Sequence, residues 1–100
     1  MIKVEVKTFN LTIDEVSIKG HAMYDDFGKD IVCAACSSIV TTTINGILKL
    51  DKKSLEYKQD KEGLIIKVIN TNDTINTLLY NMIDLLKELE SDYPTNISIK

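Results

Sequence analysis

The segment DIVCAACSSIVTTTINGILKL, residues 30–50, has the pattern of a long helix. Its apolar residues fall on almost every side of a helix, which predicts a helix buried on more than one face. Asp30 can act as the N-cap, and the helix is expected to continue through about Leu50. The three threonines 41–43 lower helix propensity, because β-branched side chains lose rotamer freedom there, but burial overrides so weak a preference.

Two alternating segments precede this helix. Residues 1–9 alternate apolar residues with lysine and glutamate, a period of two that predicts a half-buried strand. The alternation resumes after Asn10 and runs to about Lys19 and Gly20, so the two strands should pair antiparallel in a hairpin. Their apolar residues are Ile2, Val4, Val6, Ile13, Val16 and Ile18.

A second hairpin and a second helix are predicted after the first helix. Strands at 55–59 and 64–69 flank a polar turn in which Gly63 offers a positive φ angle. The second helix follows from Asp73, a reasonable N-cap. Its apolar residues recur at intervals of three and four up to Leu89, which indicates one apolar face.

The end of the chain completes a predicted α+β fold. Pro94 stops the second helix, and Ile97 and Ile99 alternate again as a short last strand. The order ββαββαβ predicts a two-layer domain, with a small, mostly antiparallel or mixed sheet and two helices packed on one face. We expect a single domain over residues 1–100.

The composition is that of a folded domain, with 44% apolar and 27% charged residues. The net charge is −3 and lysines are spread from Lys3 to Lys100, which disfavours direct nucleic-acid binding. No apolar run approaches the roughly 18 residues needed to span a bilayer, and no targeting pattern opens the chain. A cytoplasmic protein without membrane contact, with both cysteines as free thiols, is therefore expected.

His21 and Cys33 are the residues best suited to chemistry. His21, the only histidine, follows Gly20 where the second strand gives way to a loop. If Asp30 caps the helix, Cys33 lies in its first turn, where free amides and the helix dipole favour a thiolate. A strand-end histidine facing that thiolate would make a nucleophile and base pair. The alternatives are a surface histidine without chemical duty and a cysteine that is a small buried hydrophobe.

Polar residues near this pair have possible supporting roles. Asp25, Asp26 and Asp30 are candidates for orienting the imidazole as the third member of a triad. Capping the helix is the better supported role for Asp30. Ser37 lies four residues after Cys33 on the same helix face, where its hydroxyl either lines the site or bonds back to the carbonyl of Cys33.

Cys33 and Cys36 also form a C-x-x-C pair at the helix start, the spacing of dithiol oxidoreductases. The two intervening alanines lack the proline or glycine often found in those enzymes, and the helix does not directly follow a strand. A redox site is nevertheless the main rival interpretation. A zinc site needs a fourth ligand beyond two cysteines and His21, so we expect no metal and no other cofactor.

Two sequence blocks carry a family resemblance. The first is GHA at residues 20–22, and the second is DIVCAA at residues 30–35 followed by Ser37. Their sequence and spacing resemble the motif of the bacterial ribosomal-processing cysteine protease family, Prp, and the resemblance covers essentially all of the chain. It implies that His21 and Cys33 form the catalytic pair. The residues that it implies as supporting are Gly20, Ala22, Asp30 and Ser37.

The resemblance also implies a function. The family acts as a homodimer that removes a short N-terminal extension from a ribosomal large-subunit protein, after an aromatic-rich sequence, during ribosome assembly. A mobile loop between the histidine and the cysteine, here residues 22–29 with Gly28 near its end, would be displaced by substrate. Tyr24 and Phe27 could close over an apolar peptide. Cys36 stands where the family usually has an aliphatic residue, and is either a passive filler or an oxidation-sensitive thiol.

The predicted reaction follows from these assignments. The Cys33 thiolate attacks the scissile carbonyl to form an acyl-enzyme, while His21 protonates the leaving amine and then activates water. First-turn amides near Cys33 are expected to hold the oxyanion. Two other functions remain open, a dithiol redox protein that requires Cys36 and a noncatalytic ribosome-assembly binding module that needs neither cysteine.

Overall fold

A sheet and two helices form the two layers of the fold. The computed structural model of the chain describes residues 1–26 and 28–100, and its elements run in the predicted order ββαββαβ. They are β1 (Ile2–Phe9), β2 (Thr12–Lys19), α1 (Ile31–Leu50), β3 (Leu55–Gln59), β4 (Gly63–Val68), α2 (Asp73–Asp92) and β5 (Ile97–Ile99). The predicted α+β fold is confirmed.

The described strands form a mixed sheet in the order β3-β4-β2-β1-β5. The predicted hairpins β1–β2 and β3–β4 are antiparallel, and antiparallel pairing of β2 with β4 joins them. Strand β5 pairs parallel with β1, with Ile2 opposite Ile97 and Val4 opposite Ile99. This pair brings the last residues of the chain beside the first.

Both helices cover one face of the sheet. Along β1, Ile2 and Val4 are buried while Lys3 and Glu5 are exposed, as the alternation predicts. Helices α1 and α2 contact each other above this face, and burial of each large aliphatic side chain stabilises the fold by about 1.5–3 kcal/mol. Their buried residues are Val32, Cys36, Val40, Ile44 and Ile47 in α1 and Ile75, Leu79, Met82, Ile83 and Leu86 in α2.

Helix α1 is buried along one face, which corrects the expectation of burial on more than one. Ile31 and Leu50 at its ends are 54% and 62% exposed. By length and composition alone α1 could also cross a membrane, which corrects the expectation that no segment meets that limit. The core helix of a domain meets the same criterion, and the buried face of α1 packs into the core of this one.

The N-cap of α2 is Asn72, so the prediction that Asp73 caps this helix is wrong. Asn72 has an extended backbone and its Oδ1 accepts a hydrogen bond from the amide of Ile75 at 2.9 Å. Asp73 is the first helical residue, where its charge still favours the positive end of the helix dipole. Both side chains are suited to capping, and the backbone conformation selects between them.

The β1–β2 turn is fastened to α2. The side chain of Asn76 accepts a hydrogen bond from the amide of Ile13 at 3.0 Å and donates one to the carbonyl of Leu11 at 3.3 Å. The hydroxyl of Tyr80 donates to the same carbonyl at 2.9 Å. These bonds hold the turn, in which Leu11 has a φ of 66°, against the helix.

Two glycines permit close approaches between backbone segments. Gly20 has a φ of 88°, and a Cβ there would overlap the carbonyl oxygen of Met1. Gly63 has a φ of 150°, and a Cβ there would overlap the carbonyl oxygen of Ile18. Only glycine fits both the space and the backbone angles at these positions.

Replacement of Gly63 by alanine should therefore destabilise the fold by at least about 2 kcal/mol, because the new side chain meets backbone in an unfavourable φ region. Gly46→Ala in α1 is the matched control, since its Cβ would have no neighbour within 4 Å. That change should stabilise the protein by about 0.5–1 kcal/mol. Urea unfolding measures both, and effects of the same sign would contradict this account.

Candidate active site

His21 lies at the corner where β2 ends. Gly20 turns the chain, and its amide donates to the carbonyl of Glu62 in the β3–β4 turn at 3.3 Å. The imidazole is exposed, at the rim of the sheet as predicted. It lines two clefts of about 280 Å³ and about 430 Å³.

Cys33 lies in the first turn of α1 and is partly buried. It lines the same two clefts as His21, so the structure brings the two predicted catalytic residues into one site. Ser37, exposed and one helical turn further on, also lines both clefts. The predicted position of Ser37 beside Cys33 is therefore observed.

Asp30 joins the helix that carries Cys33 to the loop after β2. Its Oδ1 accepts from the amides of Val32 and Cys33, each at 3.0 Å, which is the predicted N-cap. Its Oδ2 accepts from the amides of Tyr24 at 3.0 Å and Asp25 at 3.4 Å. Desolvation raises the pKa of Asp30, but the hydrogen bond from Cys33 and then the other three together outweigh it, so the pKa falls below its ordinary 3.8.

The acidic residues near the site bond to backbone. Both oxygens of Asp30 are occupied by amides, and Oδ1 of Asp25 accepts from the amide of Asp26 at 2.7 Å. Among the residues described, no hydrogen bond links an acidic side chain to His21. Asp30 thus has the supporting position that its capping sequence predicts, and a triad with His21 is not formed in this conformation.

Ala22 connects the histidine to the cysteine. It is 1% exposed, and its amide donates a hydrogen bond to Sγ of Cys33 at 3.4 Å. Its carbonyl accepts a hydrogen bond from Nδ2 of Asn96 at 2.9 Å. Sequence reasoning missed Asn96, because 74 residues separate it from Ala22 and no local pattern connects them.

The predicted substrate loop is partly described. Tyr24 is 47% exposed, and its ring packs edge-on against that of Tyr93, with the centroids 5.3 Å apart. Gly28 has a φ of 87° and lines the larger cleft together with Met23, which the sequence analysis did not single out. The predicted role of Phe27 lies outside the described residues.

Cys36 is part of the core. It is 4% exposed, and burial followed by the nearby charge of Cys33 raises its pKa to about 11. At neutral pH it is therefore a neutral thiol packed in the core, which is the position that a passive filler would have.

The amides of the first helical turn are already engaged, which corrects one expectation about the mechanism. The amides of Val32 and Cys33 donate to the side chain of Asp30, and that of Ala34 donates to the backbone carbonyl of Asp30 at 3.1 Å. These three donors are not free to hold an oxyanion. The amide of Ala22 donates to the attacking sulfur and is therefore a candidate donor to the oxyanion.

A partly buried thiol at a helix start, in one cleft with an exposed imidazole, provides the nucleophile and the base that a thiol protease requires. Within residues 1–26 and 28–100, no group of three His, Cys, Asp or Glu side chains could hold a metal ion. The sequence model of the cysteine protease Prp family matches residues 1–98. The chain belongs to that family and is a cysteine protease.

Relatives support this assignment in sequence and in structure. The ribosomal processing cysteine protease Prp of Staphylococcus aureus strain Mu50 is 30% identical over 90 residues, covering 87% of this chain and 85% of that protein. The Prp of Mycoplasma genitalium is 29% identical over 101 residues, covering 99% and 94%. A crystal structure of an essential ribosomal processing protease Prp from S. aureus, in complex with a covalently linked product peptide, has a TM-score of 0.94. Its identity is 27%, with 100% of this chain and 98% of that chain covered.

Asp30→Asn should weaken the fold in a pH-dependent way. A folded-state pKa below 3.8 means that the carboxylate stabilises the protein above that pH and that this contribution is lost as the pH falls through the folded value. Thermal unfolding of wild type and variant should therefore differ most near neutral pH and converge in acid. Asp14→Asn, an exposed strand residue, is the control, and a pH-independent difference for Asp30→Asn would contradict the prediction.

Proposed function

We propose that this protease removes the N-terminal extension of a ribosomal large-subunit protein during ribosome assembly, with Cys33 as nucleophile and His21 as its proton-transfer partner. The hydrogen bond from the Ala22 amide to the Cys33 sulfur carries the proposal, because it sets the residue after the histidine against the nucleophile. The names of the relatives, ribosomal processing proteases, support the substrate class.

The reaction proceeds through an acyl-enzyme. The Cys33 thiolate attacks the scissile carbonyl, and the C–N bond breaks as the His21 imidazolium gives its proton to the leaving amine. His21, now neutral, takes a proton from water as that water attacks the thioester. The C–S bond then breaks, releasing the new carboxyl end of the peptide and restoring the Cys33 thiolate.

Four further residues support this pair in the proposal. Asp30 holds the loop against the helix start, because its side chain accepts hydrogen bonds from two amides of each. The supporting role of Gly20 rests on its close approach to the backbone of Met1, which leaves no room for a side chain. Ala22 supplies the amide directed at the sulfur, and Ser37 provides a hydroxyl in both clefts.

The loop at 22–29 is proposed to move when substrate binds, with Ala22 as its fixed end because that residue keeps its contacts to Cys33 and Asn96. Its contacts at residues 24 and 25 lie at the surface, where Tyr24 packs edge-on against Tyr93 and the amides of Tyr24 and Asp25 each donate one hydrogen bond to Asp30. Gly28, with its positive φ, is a suitable pivot. Tyr24 and, as the sequence suggests, Phe27 would close over an apolar peptide segment. The displaced loop would open the two clefts into one channel across Cys33.

Location and partners are part of the same proposal. The ribosomal substrate class supports a cytoplasmic location for the protease. A net charge of −3, with lysines spread along the whole sequence, supports action on the protein and not on RNA. The reaction as written needs no cofactor, and the neutral, buried Cys36 gives no support to dithiol chemistry.

Assembly as a homodimer is proposed on the exposed face of α1. Residues 31–48 of the helix carry no charged side chain, although solvent-facing helix surfaces ordinarily do. The exposed residues include Ala34, Ser38, Thr42 and Asn45, which are small enough for close approach by a second helix. The same helix of a second copy has the matching surface for a two-fold interface.

Cleavage by point variants tests the catalytic assignment. Wild type incubated with a peptide that spans the N-terminal extension of the large-subunit protein should yield two products by mass spectrometry. Cys33→Ala and His21→Ala should each lower turnover by at least about 10³-fold.

Cys36→Val is the matched control for those variants. The substitution keeps an apolar side chain of similar size in the core, so activity should remain within about twofold of wild type. Turnover retained without Cys33 or His21 would refute the dyad, and loss of activity in Cys36→Val would favour the redox interpretation.

Analytical ultracentrifugation tests the dimer. Ser38→Glu would place like charges across the two-fold interface and should weaken self-association by at least about tenfold. Ser91→Glu, at an exposed position near the end of α2, should leave it unchanged. A wild-type monomer, or a Ser38→Glu variant that associates like wild type, would contradict the proposed interface.

A further inference from the structure

The connection between α2 and β5 touches the segment that carries the histidine at two points. Asn96 donates its side-chain N–H to the carbonyl of Ala22 at 2.9 Å, and the ring of Tyr93 packs against that of Tyr24. The end of the chain therefore lies directly behind the active site. The reaction as derived above gives Asn96 no part.

Asn96 is itself held firmly. Its amide donates to the carbonyl of Tyr93 at 3.0 Å, and its carbonyl accepts from the amide of Ile2 at 2.9 Å. Its Oδ1 accepts from the hydroxyl of Thr95 at 3.3 Å, which leaves Nδ2 directed at Ala22. The side chain thus projects from a junction of three elements, α2, β5 and β1, towards one backbone carbonyl.

Ala22 links Asn96 to the nucleophile through hydrogen bonds on both sides. Its carbonyl faces Asn96 while its amide faces Sγ of Cys33 at 3.4 Å, and the residue between these two contacts is 1% exposed. A buried carbonyl that loses its donor is costly, so Ala22 would shift to find another. A shift of the whole residue would also move its amide away from the sulfur.

An amide directed at a sulfur favours its charged form over the neutral thiol. The same amide is a candidate donor to the developing oxyanion, because the first-turn amides are engaged by Asp30. Its direction therefore matters in the resting enzyme and again after attack.

We propose that Asn96 is a positioning residue of the active site, which fixes Ala22 so that its amide stays directed at the Cys33 sulfur. The inference rests on the proposed function only in taking Cys33 as the nucleophile. If Asn96 only held the C-terminal segment in place, it would stabilise the fold without changing the reactivity of the Cys33 thiol.

The pH dependence of Cys33 alkylation separates these two roles. Iodoacetamide labelling of the folded protein, followed by mass spectrometry, reports the reactive thiolate without any substrate, and the buried Cys36 should remain unlabelled. In Asn96→Ala the alkylation midpoint should move to higher pH, because the sulfur loses the amide directed at it. The kcat for peptide cleavage should fall by about tenfold with little change in KM.

Asn96→Asp is the second variant, since it keeps the size of the side chain and the acceptor for Thr95 while removing the donor to Ala22. Its alkylation midpoint should rise at least as far, because a carboxylate oxygen would face the carbonyl. This isosteric change keeps the test available if the alanine variant does not fold.

Tyr80→Phe is the matched control. It removes one side-chain hydrogen bond to a loop carbonyl, that of Leu11, at a turn that does not touch the site. Its alkylation profile should match that of wild type even where its melting temperature falls. The inference is overturned if folded Asn96→Ala or Asn96→Asp alkylates with the wild-type pH profile, whatever the change in stability.

The two proposals fail separately. If wild type cleaves the extended peptide but the Asn96 variants alkylate normally, the positioning role is wrong and the protease function stands. If wild type cleaves no such peptide but the variants shift the alkylation midpoint, the substrate is wrong and the positioning of the thiol by Asn96 stands.

Discussion

One carboxylate organises the active site of this protein. The two oxygens of Asp30 accept amides from both sides of the site, those of Val32 and Cys33 at the helix start and those of Tyr24 and Asp25 in the loop. Partial desolvation opposes the charge of this carboxylate, but four amide donors outweigh it and stabilise the ionised form. The nucleophile and the loop that follows the histidine are thereby set by the same group.

The fold supplies a second constraint from behind the site. The parallel pairing of β5 with β1 brings the end of the chain to the corner where β2 ends, so that Asn96 reaches Ala22 and Tyr93 reaches Tyr24. The hydrophobic core beneath holds this corner, because the helix that carries the thiol buries Val32 and Cys36 against the sheet. The sheet edge, the helix start and the chain terminus thus converge on one sulfur.

Local patterns account for the parts of the structure that the sequence predicted correctly. Alternation and helical spacing predicted the element order, and a capping aspartate three residues before Cys33 placed the thiol in the first turn. Long-range effects account for what was missed. Asn96 has no sequence signal because 74 residues separate it from Ala22, and the one-sided burial of α1 depends on its packing against α2, an element distant in sequence. The choice of Asn72 over Asp73 as cap depends on backbone angles, which two equally suitable side chains do not reveal.

The central claim is that one carboxylate links the loop to the helix start, and the amide resonances report on it directly. In an NMR titration from neutral pH to about pH 3, the amide protons of Tyr24, Asp25, Val32 and Cys33 should shift together as Asp30 is protonated. Their common midpoint should lie below 3.8, since the pKa of Asp30 is lowered. If the amides of Val32 and Cys33 titrate while those of Tyr24 and Asp25 do not, the loop is not held by Asp30. That result would contradict the account.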